Sequence, residues 1–293
     1  MGPYICGMLP EYIHESALDL FIEAALGEDI GDGDHTSLAT IPEDARKKAR
    51  LYIKDRGILA GVELAERIFT KVDPDLVFSA MMEDGQEVKP GDVVFDVYGR
   101  ARSILASERL VLNCMQRMSG IATHTRELVS MTAGTGTKLL DTRKTTPNFR
   151  MMEKWAVRIG GGENHRFGLY DMILIKDNHI DFAGGVGNAL QSARDYLNSS
   201  GRKLKVEIEA RTLEEVDQIL ESGDVDRILL DNMDPATLKV AVDRINGRAT
   251  TEASGGITAE DIAKVAGTGV DFISIGALTH SVKSLDMSLK AVD

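Results

Sequence analysis

Six short apolar runs alternate with helix-like segments in the second half of the chain, and this alternation limits the fold more than any other feature. The runs have the length and character of buried strands: 138–141, 172–177, 205–209, 227–231, 250–254 and 272–276. The stretches 188–197, 212–222, 235–245 and 258–266 have helical apolar spacing. Such alternation indicates parallel β/α units. At least six units favour a closed or nearly closed β/α barrel, with a doubly wound sheet as the alternative.

Polar residues and glycines follow the apolar part of each predicted strand. They are Asp141, Lys176, Asp177, Glu209, Asp231, Ser254, Gly255, Gly256 and Gly276. In β/α barrels the carboxyl ends of the strands carry the active site. One charge there could be a solvated loop residue, but a series of strands that all end this way predicts a functional edge.

Residues 141–180 form a cationic segment. It contains seven Lys and Arg residues, two His and five acids, so its local charge is +2 in a chain of net charge −12. A cationic site in an acidic protein indicates capture of a small, multiply charged anion. The bases are Arg143, Lys144, Arg150, Lys154, Arg158, Arg166 and Lys176. We expect Arg143, His165, Arg166 and Lys176 to face the site, and Arg150, Lys154 and Arg158 to be structural or solvated. Three glycines, 160–162, are a candidate backbone anion nest.

The strand-end residues leave several chemistries open. Lys176 is either an anion clamp or a Schiff-base nucleophile. Glu209 and Asp231, at adjacent strand ends, can hold Mg²⁺ or stabilise a developing ribosyl cation. Glu207 shares a strand face with Glu209, and we expect it to be structural. The glycine loops at 254–257 and 275–278 predict a phosphate site on backbone N–H groups.

The first hundred residues have an α+β pattern. The predicted features are a helix at 12–26, a turn-rich acidic loop at 28–37, a strand at 49–53, a second helix beginning within 57–69, and strand segments within 82–99. A long helical region follows at 104–131, with Ser119-Gly120 as a candidate break. Arg109, within this region, precedes the barrel and is a candidate to reach a neighbouring subunit's site.

Composition excludes several classes of protein. A pI near 5.0 argues against general binding of nucleic acid or anionic membranes. Cys6 and Cys114 have no metal-type or redox-type spacing, which predicts a cytoplasmic location. The first ten residues do not have the pattern of a signal peptide. The sequence contains no run of ~18 apolar residues, so we expect no membrane span.

Taken in order, the motifs resemble those of the quinolinate phosphoribosyltransferases. They are DTRKTTP, GGGENHRFGLYD with ILIKDNHI, VEIE, LLDN, EASGGI and IGALTHS, and the N-terminal EDIGDGDHTS, GILAG, DGQEVKPGDV and ASERLVLNCMQRMSGIAT also fit. The resemblance covers nearly the whole chain. It implies an incomplete β/α barrel over 119–277 and an N-terminal α+β sandwich domain over 1–118, which the C-terminal tail 278–293 joins.

The resemblance also implies an activity, a cofactor and a partner. The expected reaction converts quinolinate and phosphoribosyl pyrophosphate into nicotinate mononucleotide, pyrophosphate and CO₂ with Mg²⁺, in a homodimer that shares its active sites. The implied quinolinate-binding residues are Arg143, His165, Arg166 and Lys176, with Thr142 beside them and Arg109 from the partner subunit. The implied phosphoribosyl pyrophosphate residues are Lys144, Glu209, Asp231, Ser254, Gly255, Gly256, Gly276 and His280, of which Glu209 and Asp231 would hold the metal ion.

Two departures and three alternatives accompany this resemblance. His35 stands where the family usually has an aliphatic residue, and Asn148 replaces a usual Gly, although Asn tolerates left-handed backbone. The alternatives are a relative that acts on nicotinate or another aromatic acid, a Schiff-base lyase or aldolase that uses Lys176, and a non-catalytic phosphometabolite-binding module. The intact strand-end acids argue against the last.

Overall fold

The computed structural model describes residues 12–223 and 225–292, and within them the chain forms two compact units. The first unit comprises the described residues up to Arg126, then Lys144–Gly161 and the chain from Ala277 onward. The second comprises Glu127–Arg143 and Gly162–Gly276. The sequence-based boundary assigned all of 119–277 to the barrel domain, and that boundary stays a prediction. Cys6 and the signal-peptide expectation lie outside the described residues.

Helices and strands of the described residues are numbered in chain order. The helices are α1 (Glu15–Ile30), α2 (His35–Thr40), α3 (Val62–Val72), α4 (Ala101–Ser130), α5 (Arg150–Gly160), α6 (Asp177–Ala183), α7 (Val186–Ser200), α8 (Leu213–Ser222), α9 (Pro235–Ile245), α10 (Ala259–Ala266) and α11 (Ala277–His280). The strands are β1 (Arg46–Ile53), β2 (Gly57–Ile58), β3 (Val77–Ala80), β4 (Glu87–Val88), β5 (Val93–Arg100), β6 (Lys138–Leu140), β7 (Met172–Ile175), β8 (Lys205–Ala210), β9 (Arg227–Asp231), β10 (Thr250–Ser254), β11 (Phe272–Ser274) and β12 (Met287–Val292).

The first unit is built on an antiparallel sheet with the strand order β12-β1-β5-β3. The C-terminal strand β12 pairs along β1, from Lys48 opposite Val292 to Ile53 opposite Met287. Helix α3 buries one apolar face, and Phe69 from this helix meets Phe78 and Phe95 from the sheet at ring-centroid distances of 6.0 and 5.8 Å. Aromatic contacts of this kind stabilise the junction of a helix and a sheet.

Two expectations for this unit are wrong. Helix α4 continues without a break through Ser119-Gly120. Gly120 is needed for close packing, because a Cβ there would lie 2.3 Å from the carbonyl oxygen of Lys283. The expected loop at 28–37 is shorter: α1 extends to Ile30 and α2 begins at His35, after Asp34 accepts the N–H of Ser37 as a helix cap.

The second unit confirms the parallel β/α architecture. Its six strands pair in the order β6-β11-β10-β9-β8-β7. Each strand therefore neighbours the next in sequence except at β6, which pairs with the last strand, as expected when β/α units wind around a barrel. The ladder is open between β6 and β7, which makes the barrel incomplete. Strands β9 and β10 have the bounds that the sequence predicted.

The backbone path explains how side chains reach one edge of this sheet. All five ladders are parallel, so the carboxyl ends of the six strands point the same way. Interior positions are filled by buried aliphatic residues such as Ile208, Leu230 and Ile273. No helix in the described part of the chain is both long and apolar enough to cross a bilayer.

Candidate active site

The open side of the barrel carries the loop that contains His165 and Arg166. Glu163 forms a single parallel bridge to Leu140 at the free edge of β6. Asp141, which is fully buried, then accepts the N–H of His165 at Oδ1 (2.9 Å) and the side-chain amide of Asn164 at Oδ2 (2.6 Å). Asp141, the first acid of the cationic segment, therefore fixes the loop that carries His165 and Arg166.

Arg166 and Arg143 form the cationic part of this site. Arg166 donates to the carbonyl oxygen of Met172 at the start of β7 (3.1 Å). Burial lowers the pKa of Arg166, and the positive charge of Arg143 lowers it further. Arg143 is exposed just beyond β6, with Thr142 before it. Two guanidinium groups that affect each other in this way favour an anion between them.

Two glycines of the triplet have a different role from the predicted anion nest. Gly160 is the last residue of α5, and Gly161 is its left-handed C-cap (φ 98°), whose N–H bonds to the carbonyl oxygen of Arg158. A Cβ on Gly160 would lie 2.6 Å from the carbonyl oxygen of Ala122. These glycines end a helix and permit close packing, so the N–H groups of Gly160 and Gly161 are already used.

The His165 ring lies inside the barrel with two buried glutamates. Its Nε2 is 3.1 Å from Glu207 Oε2 and 3.6 Å from Glu252 Oε2. Arg227 reaches Glu252 Oε2 at 2.6 Å and Glu207 Oε2 at 3.8 Å, and its guanidinium stacks 4.6 Å above the ring of Phe272. Burial works against a charged ring, but Glu207 and Glu252 outweigh it and raise the pKa of His165.

Lys176 pairs with Glu209 at the end of the neighbouring strand. The ammonium Nζ lies 3.1 Å from Glu209 Oε1, and the N–H of Asp177 donates to Oε2 at 3.0 Å. The Lys176 side chain is 49% exposed. A Schiff-base lysine requires a desolvated amine, so this exposed and ion-paired side chain favours the clamp over the nucleophile.

Asp231 ends β9 beside this pair. Burial raises its pKa and the negative charge of Glu209 adds to the effect, although a hydrogen bond from Asn232 opposes it (Nδ2 to Oδ2, 2.8 Å). The Glu209 carboxylate is therefore close enough to Asp231 to disfavour its charged form. Between them, Glu209 and Asp231 offer oxygen ligands and negative charge at adjacent strand ends.

The glycine loop after β10 has left-handed backbone at two positions. Gly255 and Gly256 have φ values of 98° and 59°. A Cβ on Gly255 would lie 2.3 Å from the side chain of Asn232, whose N–H binds the carbonyl oxygen of Ser254. Thr258 then caps α10 through a capping box with Asp261. Gly276 follows β11 at the same edge of the sheet.

Three predicted site residues lie in the first unit. Arg109 is exposed on α4, His280 is exposed at the end of α11, and Lys144 is exposed in the DTRKTTP loop. That loop is held by buried Glu153 of α5, which accepts the N–H of Thr146 at 3.1 Å and its hydroxyl at 2.9 Å. Asn148 adopts the left-handed backbone (φ 61°) that was expected of a replacement for Gly.

Buried Glu153 also pairs with partly exposed Arg117 of α4, a contact that the sequence did not predict. Its Oε1 accepts from Arg117 Nη2 at 2.8 Å, and Arg117 also donates to the carbonyl oxygen of Thr279. The hydroxyl of Thr279 in turn binds the carbonyl oxygen of Lys144 at 2.8 Å.

Helix α5 itself was not predicted, although its apolar residues 151, 152, 155, 156 and 159 have helical spacing. Lys154 is buried on this helix and Arg158 is exposed.

The sequence also contained a signal for the interior cluster. Glu252 is the central residue of a five-residue strand, and Glu207 is the third residue of a six-residue one. A charged residue inside a buried strand needs a partner, which is a reason to search for one. His165, Glu207 and Glu252 are a group whose ligand atoms lie within 4.8 Å of one another. Arg227 already neutralises one carboxylate there, and we assign no ion to the group.

The fold and the site define a class of protein. An incomplete β/α barrel with guanidinium groups, paired acids and a glycine loop at one edge is the arrangement of a barrel-type phosphoribosyltransferase. Family models of the quinolinate phosphoribosyl transferase N-terminal domain and C-terminal domain match residues 34–119 and 121–290. The chain belongs to the quinolinate phosphoribosyltransferase family.

Individual relatives agree with this family. The chain is 50% identical to quinolinate phosphoribosyltransferase [decarboxylating] 2, mitochondrial, of Nicotiana glauca, with 92% of this chain and 80% of the relative covered. It is 44% identical to a probable nicotinate-nucleotide pyrophosphorylase [carboxylating] of Bacillus subtilis, with 89% of each covered. The solved structure of NadC from Streptococcus pyogenes matches with a TM-score of 0.90 and 39% identity, over 97% of this chain and 100% of that one.

Proposed function

We propose that the chain transfers the phosphoribosyl group of phosphoribosyl pyrophosphate to quinolinate and releases pyrophosphate and CO₂, as in de novo NAD biosynthesis. The observation that carries this proposal is the pair of guanidinium groups, Arg143 and Arg166, at the open side of the barrel. Quinolinate is a dianion, and two adjacent carboxylates require several cationic donors. A monocarboxylate such as nicotinate would require fewer.

The remaining assignments of substrate residues are part of the same proposal. Quinolinate binds Arg143, Arg166 and Lys176, with Thr142 and His165 beside them and Arg109 from the partner subunit. Phosphoribosyl pyrophosphate binds Lys144, Glu209, Asp231, Ser254, Gly255, Gly256, Gly276 and His280. The left-handed backbone at Gly255 and Gly256 supports a phosphate contact, because it lets backbone N–H groups approach an anion without a Cβ.

The reaction needs orientation and electrostatics rather than a nucleophilic side chain. The pyridine nitrogen attacks the anomeric carbon as the bond to pyrophosphate breaks, and Glu209 and Asp231 stabilise the positive charge that develops on the ribosyl ring. The bond between the ring and the adjacent carboxylate then breaks to release CO₂, and the positive charge of the alkylated nitrogen stabilises the electron pair left on the ring carbon. A proton replaces that carboxylate on the ring carbon. No covalent bond to Lys176 is required.

Mg²⁺ fits the acids proposed to hold it. Both oxygens of Glu209 already accept hydrogen bonds, from Lys176 and from the Asp177 N–H, whereas Asp231 accepts one from Asn232 at Oδ2. Asp231, with Glu209 behind it, would hold the ion together with substrate oxygens and water. When bound, Mg²⁺ neutralises the charge of the departing pyrophosphate.

A homodimer and a cytoplasmic location complete the proposal. Leu105, Arg109 and Asn113 follow one another at four-residue spacing on α4 and are all exposed, which supports a contact between this stripe of the helix and a partner. Phe182, at 89% exposure, offers a second apolar contact. Cys114 is free and buried, as expected in a reducing compartment, whereas the Nicotiana glauca relative is named mitochondrial.

One assay tests this function. The full chain is incubated with quinolinate, phosphoribosyl pyrophosphate and Mg²⁺, and nicotinate mononucleotide and CO₂ are measured together. We expect both products in equal amounts. Equal turnover of nicotinate without CO₂ release would instead support a relative that acts on monocarboxylates. A borohydride-trapped adduct at Lys176 with a carbonyl substrate would contradict the proposal.

A further inference from the structure

The His165 ring has protein partners at both nitrogens. Nε2 faces Glu207 and Glu252 at 3.1 and 3.6 Å. Nδ1 accepts the backbone N–H of Arg166 at 2.7 Å. A ring nitrogen that accepts an N–H carries no proton, so the ring proton lies on Nε2, where a carboxylate accepts it. This assignment of the tautomer follows from the hydrogen-bond partners.

The interior carboxylates that face Nε2 come from two different strands of the barrel. Glu207 comes from β8 and Glu252 from β10, and both are fully buried. Arg227, from the strand between them, pairs with Glu252 and stacks on Phe272. The backbone of His165 is fixed independently by Asp141, which follows β6. The ring is therefore held from three sides by rigid elements of one unit.

Arg166 receives its orientation from this arrangement. Its N–H is bound by the His165 ring and its guanidinium by the Met172 carbonyl oxygen. The imidazole has no third polar atom, so direct contact with a substrate carboxylate would cost it one of these partners. The ring is better placed to aim its neighbour than to bind the anion itself.

We propose that Glu207 and Glu252 are positioning residues for the dicarboxylate site, which they serve by holding the His165 ring so that its Nδ1 orients Arg166. This inference rests on the proposed function, since it assumes that Arg166 binds a carboxylate of quinolinate. It gives His165 the role of a link instead of a direct ligand. Glu207, which the sequence predicted to be structural, then affects the binding of quinolinate selectively.

A measurement of the His165 tautomer tests the inference in the protein with all partners of the ring unaltered. In ¹⁵N-histidine NMR spectra of the full-length protein at pH 8, with the His165 signals assigned by loss in His165→Asn, we expect an unprotonated Nδ1 and a protonated Nε2. A His165 ring with its proton on Nδ1 would overturn the inference.

Substitution of Glu207 tests the consequence for binding. Glu207→Met keeps the volume but removes the acceptor, and Glu252 remains to pair with Arg227. We expect at least a 10-fold rise in KM for quinolinate and less than a twofold change in KM for phosphoribosyl pyrophosphate. Glu207→Gln keeps an acceptor oxygen and is expected to restore part of the loss. The matched control is Glu163→Gln, which lies two residues from His165 in the same loop, pairs with Lys138, and is expected to leave both constants unchanged.

The outcomes separate this inference from the function on which it rests. Absence of nicotinate mononucleotide from the unaltered protein would overturn the proposed function. An active protein in which Glu207→Met raises both KM values equally, or neither, would overturn only the positioning role. Should Glu207→Met fail to fold, Glu207→Gln and the NMR tautomer of the unaltered protein decide the question.

Discussion

The contact between Lys176 and Glu209 favours one of the two chemical roles that a lysine at a strand end can have. A lysine at a strand end can act as a nucleophile when it is desolvated or as a charge when it is hydrated and paired. Here the side chain is half exposed and lies 3.1 Å from a carboxylate. Its geometry, more than its charge, then determines how it meets an anion. An ammonium group is a compact charge, whereas a guanidinium prefers a two-point contact.

Lys176→Arg should therefore lower activity although it preserves the charge. The longer planar group is expected to form a two-point contact with Glu209 and leave the substrate carboxylate, so kcat/KM for quinolinate should fall at least ~10-fold, or about 1.4 kcal/mol. The free energy of unfolding should change by less than about 0.5 kcal/mol, because arginine keeps a positive charge beside buried Glu209 and the Lys176 side chain is half exposed. Steady-state kinetics and urea unfolding measure the two quantities.

A matched substitution controls for the chemistry of the exchange. Lys239→Arg alters an exposed lysine that pairs with Asp243 four residues along α9, and it should leave kcat/KM unchanged. Full turnover by Lys176→Arg would show that Lys176 is not a close clamp.

The start of helix α3 shows how an element can hold an ionisable group in an unusual state. Asp84 is buried and accepts the N–H of Val62, the first residue of this helix, at 2.9 Å. Burial raises the pKa of Asp84 to about 7, even though backbone hydrogen bonds at the helix start oppose this. The folded protein therefore binds a proton at Asp84 that the unfolded chain releases at an ordinary pKa of 3.8.

Asp84→Asn should remove a pH dependence of stability. Because the pKa of Asp84 is higher in the folded state, its contribution is present below pH 4 and is lost as the pH rises towards 7. At pH 8 the buried carboxylate costs at most about 4 kcal/mol. The amide keeps an acceptor for Val62 and carries no charge. Urea unfolding at pH 5 and pH 8 should show a smaller loss of stability at pH 8 in Asp84→Asn than in the unaltered chain.

The control for this effect is the substitution of a solvent-exposed aspartate in the same protein. Asp29→Asn changes an exposed residue near the end of α1 and should leave the slope of stability against pH as it is. Equal slopes in Asp84→Asn and the unaltered protein would contradict a raised pKa at Asp84.

Elements differ in how far the sequence predicts them. The bounds of β9 and β10 were predicted to the residue, because buried parallel strands are continuous apolar runs between polar ends. The fold class, the family and the enzyme class are confirmed. Helix α5 was missed because its basic residues suggested a binding segment, and the role of its terminal glycines depends on packing against α4. The partners of Glu207 and Glu153 come from distant segments, which periodicity and spacing do not specify.

At the scale of the whole molecule, Arg109 lies on a stripe of α4 that the described residues leave exposed. The residues on either side of it along this face, Leu105 and Asn113, are exposed too. In a two-fold symmetric dimer such a face contacts the same patch or its complement on a second copy. Arg109 of one subunit then completes the site of the other, as we propose.

Mixed dimers test this proposal directly. Arg109→Ala and Lys176→Ala should each be nearly inactive alone, because each lacks one cationic group in every site. Co-expression with two different affinity tags gives heterodimers in which one of the two sites has both residues. We expect such purified heterodimers to recover about half of the unaltered activity. Heterodimers as inactive as the parents would place Arg109 and Lys176 in the same subunit's site.

The open side of the barrel connects the concentration of the dicarboxylate substrate with the lifetime of the enzyme in the cell. Between β6 and β7 the contacts of the wall include the Glu163 bridge to β6 and the hydrogen bond from Arg166 to Met172 of β7. An anion that immobilises Arg166 also strengthens this part of the wall, and a ligand that prefers the folded state adds to the free energy of unfolding. Turnover by cellular proteases follows the population of opened molecules. The enzyme should therefore last longest in cells that provide its dicarboxylate, and be cleared sooner in cells that do not.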